Sequence, residues 1–143
     1  MDQDQDVLDR HAAALQATLD AVREAYPHHK LVAAFELHTF SSLNEQFLSE
    51  YAGSMQAPDE AVVFFSNHAL QLKGLPKLDR SAVKGYFERE DLSVTDEKSE
   101  LESLITNAIV SPEKPVCLLL MSSGTFDGID WNSVVSQTVS SPQ

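Results

Sequence analysis

A chain of 143 residues has room for one domain with a substantial buried core and none for a second. Apolar residues make up 43% and charged residues 22%, which is globular composition, and no apolar run nears the roughly 20 residues that cross a bilayer. Ten basic against 22 acidic residues give a net charge of −12, which argues against nucleic-acid backbone or anionic membrane as a partner; the acidic start, Met1 to Asp6, is unlike a signal peptide, so the cytoplasm is the expected location.

Residues 1–6 are expected to fray, as is the tail over 137–143. From Leu8 the apolar positions Leu8, Ala12, Leu15, Leu19, Val22 and Tyr26 advance by fours and threes, predicting one helix with a single buried stripe that stops before Pro27. His28, His29 and Lys30 read as a solvated connector, since the paired histidines have no third ligand nearby. Leu31 to Phe35 is the first buried strand, and a polar loop, Glu36 to Ser42, follows it. Ser42 and Glu45 have capping-box spacing ahead of a helix whose apolar face is Leu43, Phe47, Leu48 and Tyr51.

Pro58 and Asp59 break the chain before a second strand, Ala61 to Phe65. A long connection, Ser66 to Leu78, comes next, of a length that is often functional or mobile. Asp79 is placed to cap a short helix over Arg80 to Phe87, and Leu92 to Thr95 is a short third strand near the edge. Asp96 then caps a helix that turns Leu101, Leu104, Ile105 and Ala108 inward and ends at Ser111-Pro112.

Val116 to Met121 is an unbroken apolar run, the pattern of a strand covered on both faces of a parallel sheet, and the one cysteine, Cys117, sits in it as a small hydrophobe. After it come Ser122, Ser123, Gly124, Thr125, Asp127 and Gly128, then a helix-compatible segment from Ile129 to Val139. A strand, a glycine-containing polar loop and a helix in that order are read equally well as an ordinary turn or as a ligand loop.

The alternation predicts an α/β fold: a doubly wound, mostly parallel, Rossmann-like sheet of about four strands in the order 3-2-1-4, with helices on both faces. In that order the loops after the first and fourth strands, residues 36–42 and 122–128, meet across one crevice at the switch point, where open α/β sheets bind ligands.

Those two loops carry a resemblance. Phe35-Glu36-Leu37-His38-Thr39-Phe40-Ser41-Ser42 resembles the Phe-x-Pro-His-Thr-Tyr/Phe-Ser-Arg element of the Mur ligase C-terminal domain, and Ala17-Thr18-Leu19, Ala25-Tyr26-Pro27, Tyr51, Asp59 and Ala61 match its surroundings. Leu120-Met121-Ser122-Ser123-Gly124-Thr125-Phe126-Asp127-Gly128-Ile129 is similar to the Met-Ser-Asn-Gly-Gly-Phe-Gly-Gly-Ile loop of one branch, which joins L-alanyl-γ-D-glutamyl-meso-diaminopimelate to UDP-N-acetylmuramate in cell-wall recycling. The likeness runs over about residues 15–135. Two departures stand out: Ser41-Ser42 replaces Ser-Arg, and an upstream Asp-x-Ala-His-x-Pro element falls out of register with Asp6, Asp9 and His11.

The resemblance implies one domain of a three-domain, ATP-dependent amide-bond ligase, working through an acyl phosphate attacked by an amine. ATP and magnesium would then be held mainly by N-terminal and central ligase domains, with this chain supplying contacts to the incoming peptide or amino acid and needing no cofactor of its own. The sequence has no Gly-x-x-x-x-Gly-Lys-Ser/Thr stretch, so the chain alone is expected to be inactive, with no catalytic residue and no metal ligand assigned in it. The expected substrate contacts are Glu36, His38, Thr39, Ser41, Ser42, Ser122, Ser123, Gly124, Thr125 and Asp127. Hydroxyls and loop N–H groups suit carboxylates, whereas Asp127 or Glu36 suits an ammonium group. His38 reads equally as a ligand contact or as a loop-structuring residue. The alternatives are the L-alanine-adding sibling and, in a different class, a stand-alone binding module on the same fold.

Overall fold

The computed structural model describes the backbone at residues 2–38, 43, 45–110, 113–122 and 125–139; the side chains at 2–11, 45–47 and 136–139 lie outside what it describes. The capping box at Ser42 and Glu45 and the inward turn of Leu8 and Phe47 therefore lie outside the described residues.

Helix α1 (Asp2–Ala25) buries Ala12, Leu15 and Leu19 as one stripe. The stripe stops there: Tyr26, expected to continue it, lies past the helix end, is 45% exposed, and sets its ring edge-on against His29. Strands β1 (Lys30–Leu37), β2 (Glu60–Phe65), β3 (Ser93–Thr95) and β4 (Val116–Met121) form one sheet in the order β3-β2-β1-β4. All three pairings are parallel, with Ala33 beside both Ala61 and Leu119.

Alternation along the strands divides the core in two. Ala33, Leu37, Ala61, Val63 and Phe65 pack under α1, the 3-10 helix Glu45–Tyr51, α2 (Asn67–Leu72) and α3 (Arg80–Phe87). Val32, Ala34, Val62 and Phe64 pack under α4 (Lys98–Ala108) and α5 (Trp131–Val139), which touch each other. Helices on both faces of a parallel sheet are the predicted doubly wound arrangement.

Several local expectations are corrected. The segment before Tyr51 is a 3-10 helix. The connection after β2 contains α2, whose first turn is capped by the Ser66 hydroxyl accepting from the Ala69 N–H at 3.2 Å. Strand β4 is covered on both faces only in part: it stands at the sheet's edge, and all six of its residues are half-buried, Leu119 and Met121 against one core and Val116, Leu118 and Leu120 against the other. Asp96 does not cap α4, because its carboxylate is already held by Arg80 Nε (3.0 Å), Arg80 Nη2 (2.5 Å) and Asn67 Nδ2 (2.7 Å). The Thr95 hydroxyl organises that turn instead, accepting from the Glu97 N–H at 3.1 Å and donating to Glu100 Oε1 at 2.6 Å. Asp79 caps α3 as expected, accepting from the Ala82 N–H at 3.1 Å.

At the amino end of the sheet, Asp59 Oδ2 accepts from Arg23 Nη2 (2.6 Å) and from the Leu31 N–H (2.7 Å), tying α1 to β1 and β2. Burial alone would raise the Asp59 pKa, but these two hydrogen bonds and the guanidinium charge outweigh it and leave the carboxyl below its ordinary value. A carboxyl depressed in the folded state releases its proton earlier than in the unfolded chain. Its contribution is therefore complete above the ordinary carboxylate range and is lost as pH falls below 3.8. Asp59→Asn is expected to lower the urea midpoint at pH 7, with the gap from the parent narrowing by pH 3; a gap independent of pH would refute the assignment.

Candidate functional site

Parallel strands put the loops after β1, β2 and β4 on one edge of the sheet. Glu36, expected to open the loop after β1, does not do so. It belongs to β1 and continues the inward row of Val32 and Ala34, rather than opening the loop, and its side chain is 4% exposed.

The β1–β4 register explains what a carboxylate does there. Phe35 pairs with Met121, so the next step of each strand brings Glu36 opposite Ser122. The Ser122 hydroxyl donates to Glu36 Oε1 at 2.5 Å, and the Phe126 backbone N–H donates to the same oxygen at 2.8 Å. His38 Nδ1 lies 3.7 Å from the other oxygen, Oε2. A carboxylate out of water is stable only with such donors, and charge-assisted bonds of this kind are the stronger class. Glu36 thus joins the end of β1 to the loop after β4.

That loop then turns left-handed for three residues: Phe126 (φ 53), Asp127 (φ 57) and Gly128 (φ 79). Glycine adopts this region freely, whereas Phe126 and Asp127 carry a cost of about 1–2 kcal/mol each. Three interactions hold the turn. Phe126 is 4% exposed, with Phe64 stacked at 6.4 Å and Trp131 edge-on at 5.3 Å. Its N–H is fixed by Glu36, and the Thr125 hydroxyl accepts from the Gly128 N–H at 3.2 Å. The turn buries the aromatic ring and leaves Asp127 and Thr125 exposed.

Among the described residues, the end of β1 meets the segment after β4 at Glu36. Of the expected contact residues, Glu36, His38, Ser122, Thr125 and Asp127 are gathered at the carboxyl ends of β1 and β4. Thr39, Ser41, Ser42, Ser123 and Gly124 lie outside the described residues. Among the described residues, Asp127's carboxylate has no hydrogen-bond or ion-pair partner, so it is available to a cation; Glu36, by contrast, is occupied. Phe126, which sets the shape of the loop, was missed by sequence reasoning. Its signal was a single large apolar residue between Thr125 and Asp127.

No protein-family model matches the sequence. In three dimensions the chain is similar to the crystal structure of a domain whose parent protein, from Haemophilus ducreyi 35000HP, carries the provisional name UDP-N-acetylmuramate:L-alanyl-γ-D-glutamyl-meso-diaminopimelate ligase. The superposition has a TM-score of 0.55 at 21% identity and covers 91% of this chain and 82% of that one. The two chains share a fold, the one expected from the loops at 35–42 and 120–129.

Proposed function

We propose that this chain is the peptide-binding domain of an ATP-dependent amide-bond ligase of the Mur type, acting on UDP-N-acetylmuramate and a short peptide. One observation carries the reading: the two segments that resemble the family's loops are joined at the carboxyl ends of adjacent strands by Glu36, which holds Ser122 and Phe126, 86 and 90 residues away. The shared fold supports it. The peptide's ammonium group is taken by Asp127, and its carboxylates by the Thr125 hydroxyl and His38. ATP and magnesium are bound by partner domains that carry the phosphate-cradling machinery this sequence lacks. Glu36 positions the Ser122 to Gly128 loop and does not touch the peptide.

Titration of the 15N-labelled chain with L-alanyl-γ-D-glutamyl-meso-diaminopimelate, followed by NMR, tests this. Saturable shifts are expected at His38, Ser122, Thr125 and Asp127, reduced about tenfold in affinity by Asp127→Asn. L-Alanine producing the same shifts with the tripeptide silent would assign the sibling activity, and no shift with either at millimolar concentration would overturn the reading.

A further inference from the structure

Strand β4 leaves one side of the sheet open, and its register says which groups face that side. The Lys30 N–H donates to the Pro115 carbonyl at 2.8 Å, and Lys30 pairs with Val116. In a parallel ladder successive residues point their N–H and C=O to alternate sides of the strand, so Cys117, Leu119 and Met121 follow Pro115 toward β1. Val116, Leu118 and Leu120 point theirs the other way, where no strand stands among the described residues. Donor and acceptor pairs are thus set out at every second residue along β4.

Such an edge is a template for one more strand. The two edges of this sheet differ. Strand β3 is three residues long, whereas β4 offers six, all apolar and all half-buried. Val116, Leu118 and Leu120 pack toward the core under α4 and α5, and Leu119 and Met121 toward the core under α1. Each face of β4 therefore keeps apolar surface that a neighbouring strand's side chains would cover. The segment that fits is extended, carries apolar or β-branched residues, and bonds through its main chain.

Charge narrows the choice. No residue from Pro115 to Thr125 is charged, but exposed Glu113 stands before that stretch and exposed Asp127 and Asp130 stand after it. Lys114, next to Glu113, lends its charge to Asp59, whose carboxyl it helps to lower. A neutral strip with carboxylates at both ends suits a segment with a cation at each end. A second copy of this chain fits badly. Antiparallel pairing would bring the Glu113 end of each β4 to the Asp127 end of the other, between molecules of net charge −12.

We propose that the open side of β4 takes up an extended, basic-flanked segment of another polypeptide as a further strand, through the N–H and C=O groups of Val116, Leu118 and Leu120. The site lies on the side of β4 turned away from β1 and Glu36, and it does not depend on the ligase reading.

The probe is the peptide acetyl-Lys-Thr-Val-Thr-Val-Thr-Lys-amide, titrated at low salt into the 15N-labelled chain. Amide exchange is expected to slow at Val116, Leu118 and Leu120 and to change little at Cys117, Leu119 and Met121, which β1 already holds. The same peptide N-methylated at its five central residues keeps the charge and loses the donors, and should bind at least about tenfold more weakly. A version with glutamate in place of both lysines should weaken by a similar factor, and the difference should shrink in concentrated salt. Val116→Pro removes one outward donor at the first position of the strand, where proline is tolerated, and should weaken the probe about fivefold. Equal binding by the N-methylated or the glutamate peptide, or slowed exchange confined to residues outside 113–122, would overturn the proposal. So would slowed exchange at Val116, Leu118 and Leu120 that grows with protein concentration in the absence of peptide, which would place a second copy there.

Discussion

Glu36→Ala is expected to destabilise the chain by about 2–3 kcal/mol and to change the backbone resonances of Thr125 to Gly128 as a block. The alanine removes the acceptor that holds the buried Phe126 N–H and the Ser122 hydroxyl. A buried donor left unpaired costs about 1–3 kcal/mol, and bonds to a charged group are worth about 1.5–3 kcal/mol before relaxation. The left-handed residues Phe126 and Asp127 then lose one of the interactions that hold them. Glu36→Gln keeps one carbonyl oxygen for both donors and is expected to cost about 1 kcal/mol. Urea unfolding with amide exchange at Phe126 measures both. A Glu36→Ala chain within about 0.5 kcal/mol of the parent, with Phe126 still protected, would show that the crosslink does not form in solution.

The larger effect is expected at Phe87. Its ring is fully buried, stacked on Tyr51 at 5.3 Å and edge-on to Phe35 at 6.4 Å, so α3, the 3-10 helix and β1 meet on one aromatic cluster. Phe87→Ala is expected to cost about 3–5 kcal/mol, the lost transfer energy plus the cavity left behind. Phe87→Leu refills much of that volume and should recover more than half. The environment is dry enough that burial pushes the Tyr51 phenol well above its ordinary range. Denaturant midpoints of the two variants check this, and an alanine cost below about 1 kcal/mol would mean that the cluster is not packed as described.

The sheet was legible because its signals are local. Leu31 to Phe35, Ala61 to Phe65 and Val116 to Met121 are apolar runs of strand length, separated by segments with helical spacing, and strict alternation leaves few topologies. What was not legible depends on partners distant in sequence. A glutamate after an apolar run reads as the start of a loop; that Glu36 stays inside follows from Ser122 and Phe126, 86 and 90 residues away. The period-two row Val32, Ala34, Glu36 was the available hint. Asp96 has the right type and place for a cap, yet Arg80 claims it from 16 residues back. Helix α2 is six residues long, too short to show a period. Left-handed backbone at Phe126 has no sequence signature beyond the glycine two places on.

The position of β4 bears on how the molecule behaves in bulk. Among the described residues its outer rail of amides and carbonyls is unpaired, and Val-Cys-Leu-Leu-Leu-Met carries none of the lysines, prolines or bulges that blunt such rails in natural sheets. What keeps one molecule's rail from another's is then the long-range repulsion of twelve surplus negative charges. Acidification toward the isoelectric point near 4.6, or concentrated salt, removes that repulsion while leaving the sticky strand intact, so the conditions that usually favour crystals are those in which this chain is most prone to grow fibrous precipitate.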